Sequence, residues 1–195
     1  MDYKLFVFDD FENANNSHLH FLYHHLPEDR KIKVKNCFYE IDKKIKIIEY
    51  FILKNALGFK NIKPFAYSKN GKPFIRGCKK FNISHSKSTL AVAVSNNNIG
   101  VDIQEFIAFE TNLAKHICSK KEYDFVANSS NPTFELTKLW VMKESLIKLK
   151  GLTIAQNLKT LLKNQKDYNF DIFFTKDGLG CVCMKKPTKS QTKTN

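Results

Sequence analysis

Cysteine is sparse and unpatterned in this chain. Cys37, Cys78, Cys118, Cys181 and Cys183 are odd in number and show no C-x-x-C spacing, which argues against a disulfide framework and a zinc-type ligand set. Cys181 and Cys183 flank Val182 in a strand-like run, so they read as two residues on one strand face. No apolar run reaches the length of a membrane span, and Met1-Asp2-Tyr3-Lys4 lacks the layout of a secretory leader. The expectation is a cytoplasmic protein without a membrane partner. A G-x-S-x-G nucleophile elbow is missing as well, as are a zinc finger, a helix-turn-helix pattern and an RRM-type aromatic signature. Serine-hydrolase chemistry and specific nucleic-acid recognition therefore have no motif to rest on.

Acidic residues are also few. The 195 residues hold 19 Asp and Glu against 32 Lys and Arg, a formal net charge of +13. Such a chain attracts polyanions: nucleic acid, an anionic membrane, phosphorylated cofactors or an acidic protein. Part of the excess lies in residues 185–195, a run of Lys, Thr, Ser, Pro and Gln without apolar periodicity that reads as a disordered basic tail. The hydrophobic fraction of 43% is enough for a substantial core.

Periodicity divides the rest into elements. Tyr3–Asp9 reads as an opening strand and Asn16–His25 as a short helix. Its four histidines, His18, His20, His24 and His25, have chelating spacings, but no carboxylate accompanies them, and a solvated face is the plainer reading. Pro27-Glu28-Asp29-Arg30 starts a second helix. Ile41–Leu57 carries helical apolar spacing and ends at Gly58. A strand is expected over Ile62–Tyr67, a turn at Asn70-Gly71, and strands at Phe81–Ile83 and Leu90–Ser95 around a Ser84-His85-Ser86 corner. Asn96-Asn97-Asn98 leads into a strand at Ile99–Ile103. Leu113–Ile117, Lys121–Val126 and Glu135–Lys150 are helical, and Phe170–Thr175 with Gly180–Met184 form a hairpin about Asp177-Gly178. The order suggests an α+β protein of two units joined near Asn96–Gly100.

Three segments carry chemistry. Asp102 ends an otherwise apolar strand, where a carboxylate is costly unless paired or bound to a cation. Gln104, two residues on, points to the same side, and the two oxygens suit a hard cation such as Mg²⁺. Glu144 and Lys148 share a helix face. A surface ion pair is the plain reading, although Trp140 on that face argues against full solvation. As a site, Glu144 would be a metal ligand or general base and Lys148 a phosphate clamp. His85, between Ser84 and Ser86, makes a phosphate cradle with turn amides plausible.

Taken in order, these motifs resemble a known family. Gly71-Lys72-Pro73, Phe81-Asn82-Ile83-Ser84-His85-Ser86, Gly100-Val101-Asp102-Ile103, Ser119-Lys120-Lys121-Glu122-Tyr123 and Trp140-x-x-Lys143-Glu144-Ser145-x-x-Lys148 are similar to those of 4′-phosphopantetheinyl transferases of the surfactin-synthetase-activating type. The resemblance implies two α+β subdomains, residues 1–98 and 99–184, related by a pseudo-twofold axis with the active site in the cleft between them. It implies transfer of the 4′-phosphopantetheine arm of coenzyme A to a serine of an apo acyl or peptidyl carrier protein, with release of 3′,5′-ADP. Asp102 and Glu144 would bind Mg²⁺, and Glu144 would deprotonate the carrier serine. Lys148 and His85 would hold the pyrophosphate, and Lys72 and Ser84 would contact the nucleotide end. Carriers of this kind are acidic, which matches the basic chain, and a monomer would complete the cleft.

Two positions depart from the pattern. Gln104 stands where the family usually has a second acid, so any cation there would be held by Asp102, Glu144 and a neutral amide or a water in its place. The N-terminal basic motif that binds the 3′-phosphate is blurred, with Arg30, Lys31 and Lys44 as candidates. Two other functions follow from single features: a basic nucleic-acid-binding protein from the charge, and a degenerate coenzyme A-binding member without turnover from Gln104.

Overall fold

The computed structural model describes residues 1–11, 13–60, 65–87, 89–153 and 158–187. The chain is a mixed α+β protein built on two three-stranded antiparallel sheets. The first holds β1 (Lys4–Phe8), β4 (Lys80–Ser86) and β5 (Thr89–Ser95) in the order β1-β5-β4. The second holds β6 (Ile99–Glu105), β7 (Tyr168–Phe174) and β8 (Gly178–Lys185) in the order β6-β8-β7. In each, the first strand is followed by helices and then a hairpin whose returning strand takes the centre. A two-stranded ribbon of β2 (Ala66–Tyr67) and β3 (Pro73–Phe74) precedes β4 in the chain.

Alternation along the strands explains the layering. On β5, Leu90, Val92 and Val94 face a core closed by α1 (Asn16–His24), α2 (Glu28–Lys35) and α3 (Glu40–Leu57). Ala91 and Ala93 face the other way, against Ile99, Val101 and Ile103 of β6 and Val182 and Met184 of β8. The small alanines let the second sheet approach closely. On β6 the opposite face carries Gly100, Asp102 and Gln104, registered with Cys183, Cys181 and Leu179 of β8. That face is covered by α6 (Pro132–Lys150), which buries Val141, Leu146 and Leu149 against Leu179, Cys181 and Cys183. Burial lifts the Cys181 thiol to about 12, so both buried thiols are packing groups.

Helix ends follow the expected chemistry. Gly58 and Gly151 close α3 and α6 at φ 72° and 64°. Asn131 caps α6 ahead of Pro132. Ser119 and Glu122 form a capping box on α5 (Lys120–Ala127), which follows α4 (Thr111–Ile117). A 3-10 stretch at Leu158–Asp167 was not foreseen, since its short turns lack a four-residue period.

Several sequence expectations change in detail. The Ser84-His85-Ser86 corner is strand: all three pair with β5, and the turn falls at Lys87, whose φ is 40°. Their backbone is extended and paired with β5, so the three residues do not form a turn cradle. Asp102 lies in the middle of β6, not at its end. Lys185 closes β8, one residue inside the expected tail. Residues 62–64 of the expected strand and 188–195 of the tail lie outside the described residues. Among the described residues, no helix is long and apolar enough to cross a membrane.

Candidate active site

The site grows from the meeting of two sheet edges. β4 is an edge of the first sheet and β6 of the second, so the outward N–H groups of β6 need partners. Side chains of β4 supply them. Asn82 Oδ1 accepts from Val101 N at 2.7 Å, and Ser84 Oγ accepts from Ile103 N at 3.3 Å. Asn82 and Ser84 are both buried and lie two apart on one strand face. These bonds bring Asp102, between the two bonded amides, beside Ser84.

Asp102 is 5% exposed and its two oxygens are treated differently. Oδ1 accepts from Ser84 Oγ at 3.0 Å and from Lys148 Nζ at 2.7 Å. Lys148 Nζ also donates to Ser84 Oγ at 2.8 Å. Oδ2 is buried and has no hydrogen-bond partner. Glu144, one helical turn before Lys148, is also 5% exposed, and its Oε1 is buried without a partner. Burial raises the Asp102 carboxyl above its ordinary range, with Lys148 opposing. Burial raises Glu144 too, with the Asp102 charge adding to it.

Two buried carboxylates that repel each other, each with an orphaned oxygen, are costly to leave as they are. A divalent cation would satisfy both oxygens and reverse both shifts. Gln104 is on the same strand face, half-buried, and offers a neutral oxygen. Among the described residues, no group of three or more His, Cys, Asp or Glu converges on a metal position. The donor set fits Mg²⁺, which takes one or two carboxylates and fills its remaining positions with water and phosphate oxygens. It does not fit zinc.

Lys72 reaches the site from another direction. Its Nζ donates to the main-chain oxygens of Ile99 at 2.9 Å and Lys148 at 2.7 Å. Asn70 Nδ2 donates to Gly151 O at 2.6 Å. The turn between β2 and β3 thereby caps the carbonyl end of α6. Burial, with Lys80 nearby, lowers Lys72 to about 8. The same turn walls a cavity of about 310 Å³ lined by Lys69, Lys72, Lys79, Lys80 and Lys150 and, among the described residues, by no carboxylate.

The other candidates lie elsewhere. His85 follows Ser84 on β4 and therefore points to the opposite face, towards α3. Desolvation holds its imidazole below its ordinary value, helped by Lys46 and Lys148 and offset by Asp42 and Glu49. Arg30 is built into the N-terminal core: it is 6% exposed, 3.6 Å above the Phe65 ring and 3.8 Å from Glu49. Lys31 pairs with Glu28. Lys44 donates to Phe11 O at 3.2 Å and lines a different cavity between α1, α2 and α3. The basic residue of those helices that acts on His85 is Lys46, which sequence reasoning passed over. His20 and His24 meet edge to face at the surface.

Asn82 and Lys143 were also missed as working residues. Period-two spacing from Ser84 would have placed Asn82 on the same face. Lys143 is fully buried and donates to Ile117 O and Glu122 Oε2, both at 2.8 Å. It ties the helix of Glu144 to the α4–α5 corner. A single Lys next to Glu144 in sequence gives no hint of that span.

The chain is similar in sequence to known proteins. The 4′-phosphopantetheinyl transferase superfamily matches residues 98–191. The chain is 30% identical over 140 residues to the 4′-phosphopantetheinyl transferase gsp of Aneurinibacillus migulanus, covering 70% of this chain and 59% of that protein. It is 37% identical over 91 residues to the 4′-phosphopantetheinyl transferase Sfp of Bacillus subtilis (strain 168), covering 45% of this chain and 41% of that one. A third relative, 4′-phosphopantetheinyl transferase psf-1 of Bacillus pumilus, is 34% identical over 95 residues, covering 47% of this chain and 41% of the relative. The chain spans about half the length of the curated relatives it matches.

Proposed function

The chain belongs to the 4′-phosphopantetheinyl transferase superfamily, and we propose that it moves the 4′-phosphopantetheine group of coenzyme A onto a serine of an apo acyl or peptidyl carrier protein. The observation that carries this reading is the pair of buried, unpartnered carboxylate oxygens, Asp102 Oδ2 and Glu144 Oε1, beside the Lys148 ammonium. Such a pair is a poor structural element and a good place for a cation-bound pyrophosphate. The two subdomains would be residues 1–98 and 99–184, and their matching strand orders support the pseudo-twofold relation, with the site at the junction of β4 and β6.

Mg²⁺ held by Asp102 and Glu144, with Gln104 or a water beside them, would neutralise charge on the pyrophosphate. Glu144, raised in pKa by burial and by Asp102, takes the proton of the carrier serine directly or through water. The serine oxygen then bonds to the phosphorus of the phosphopantetheine arm as that phosphorus parts from the oxygen of 3′,5′-ADP. Lys148 faces the charge that develops during this displacement. The lysines of the 310 Å³ cavity suit the nucleotide end, and His85 with Lys46 offers a second basic position. The net charge of +13 would speed encounter with an acidic carrier. The chain would work in the cytoplasm as a monomer.

Intact-mass analysis of candidate apo carriers, incubated with the protein, coenzyme A and Mg²⁺, tests the proposal. A mass gain of one phosphopantetheine, absent with Glu144→Gln, is the expected result. No gain on any fatty-acid, polyketide or peptide carrier would overturn it. One observation favours a second reading: among the described residues, Gln104 leaves two carboxylates at the cation position, which would suit a protein that binds coenzyme A without turnover. Salt-sensitive binding of RNA or DNA, indifferent to coenzyme A, would point to a nucleic-acid-binding protein instead.

A further inference from the structure

We infer that Ser84 is a positioning residue for the cation site and does not contact coenzyme A. This inference rests on the transferase reading for the identity of the cation and departs from it over the role of this hydroxyl. A serine hydroxyl has one donor and two acceptor positions. In Ser84 all three are filled by protein: the hydroxyl donates to Asp102 Oδ1 at 3.0 Å and accepts from Ile103 N at 3.3 Å and Lys148 Nζ at 2.8 Å. The residue is 4% exposed. No hydrogen-bonding capacity is left for a ligand.

The three bonds act on the geometry of Asp102. Ser84 and Lys148 together occupy Oδ1, which fixes the plane of the carboxylate and leaves Oδ2 as the free oxygen. The bond to Ile103 N, with that of Asn82 to Val101 N, holds the β6 main chain on both sides of Asp102. Ser84 also orients Lys148, so one hydroxyl sets both the ligand oxygen and the phosphate-facing cation. Groups that orient a metal ligand without touching the metal carry much of a site's affinity. His85, on the opposite strand face, is not part of this arrangement.

The test separates metal binding from coenzyme A binding. Mn²⁺ serves as the metal probe, read by water-proton relaxation with the full chain and no coenzyme A. Coenzyme A binding is measured by calorimetry in EDTA. Ser84→Ala is expected to weaken Mn²⁺ binding by roughly ten- to a hundredfold and to leave coenzyme A affinity within about twofold, since the lost bonds are all to protein groups. Ser84→Thr, which keeps the hydroxyl, is expected to retain most Mn²⁺ affinity. If Ser84→Ala does not fold by circular dichroism, Ser84→Cys carries the same comparison, because a thiol is a weak hydrogen-bonding group.

Unchanged Mn²⁺ affinity, or a loss confined to coenzyme A binding, would overturn the inference. So would a wild-type protein that binds no Mn²⁺, whatever the transfer assay shows. A wild type that binds Mn²⁺ through Ser84-positioned Asp102 but modifies no carrier would sink the transferase reading and leave this one standing.

Discussion

Gly100 of β6 lies so close to the main chain of α6 that a Cβ at this position would fall 2.0 Å from the Ser145 carbonyl oxygen and 2.6 Å from Leu149 N. Both obstacles are backbone, so no side chain can rotate away. The glycine is what lets the helix of Glu144 and Lys148 rest on the strand of Asp102. Gly100→Ala should push α6 off β6, cost about 1–3 kcal/mol of stability and weaken the Asp102–Lys148 contact. Chemical denaturation reads the first effect; loss of metal-dependent transfer at a temperature where the variant is folded reads the second.

Glu144 should show stability and function pulling apart. Its Oε1 is buried and unpartnered, and its carboxyl is raised by burial and by Asp102. In metal-free protein, a raised acid means the folded state holds its proton to higher pH than the unfolded chain, so this group costs stability as pH rises past the ordinary carboxylate range. Glu144→Gln removes that cost. The variant is expected to be more stable than wild type by about 1 kcal/mol at neutral pH, with the gain fading in acid, and to lose about 10²–10⁴-fold in transfer rate. Parallel melting curves in EDTA at acid and neutral pH check the first part.

Lys72 carries the opposite pH signature. Burial lowers it to about 8 from an ordinary 10.5. Between those values the unfolded chain holds more protons than the folded one, so this group adds stability as pH rises from about 8 to 10.5. Lys72→Met should remove that rise and also lose the bonds to Ile99 O and Lys148 O. Urea midpoints measured across the alkaline range, wild type against variant, give the comparison; identical pH slopes would show that Lys72 is not the buried group described.

Gln104→Glu should add a third carboxylate on the face of Asp102. Charge count raises the affinity of an oxygen-ligand site for hard cations. Mg²⁺ titration should reach half-saturation at lower concentration in the variant, while the metal-free protein loses stability through added repulsion at Asp102 and Glu144. No change in Mg²⁺ affinity would place Gln104 outside the ligand set.

Lys143 and Glu122 form a pair that is fully buried on the lysine side and largely so on the other, with Nζ 2.8 Å from Oε2. Glu122 also accepts from Ser119 N at 2.7 Å as part of the α5 cap. Removing one partner of such a pair should cost about 3–5 kcal/mol. Lys143→Met and Glu122→Gln should be strongly non-additive in a double-mutant cycle, because each deletes the same bond.

Much of the element order was open to inspection of the chain. The alternation Leu90-Ala91-Val92-Ala93-Val94 marks a strand with a bulky and a small face, and Gly58 and Gly151 mark helix ends by the left-handed backbone they permit. The corner placed at Ser84-His85-Ser86 was misread because polar residues there imitate a turn; a neighbouring edge strand that needed side-chain acceptors is what put them on β4. Arg30 and Lys44 are alike as basic residues in the sequence; only packing shows the first over the Phe65 ring and the second donating to Phe11 O.

The sequence by itself carried the family resemblance and the chemistry on offer: Asp102, Glu144 and Lys148, at spacings set by strand and helix geometry. Tertiary structure alone decided what each atom does. Only the abutment of β4 and β6 fills the Ser84 hydroxyl and leaves Asp102 Oδ2 free. Only the close approach at Gly100 rests the helix of Glu144 on the strand of Asp102, and only the capping turn at Asn70–Lys72 holds the end of α6. Spacing along a chain sets which side chains share a face. Which oxygen is satisfied and which is left to bind depends on partners dozens of residues away, and those contacts exist only once the sheets and helices have packed.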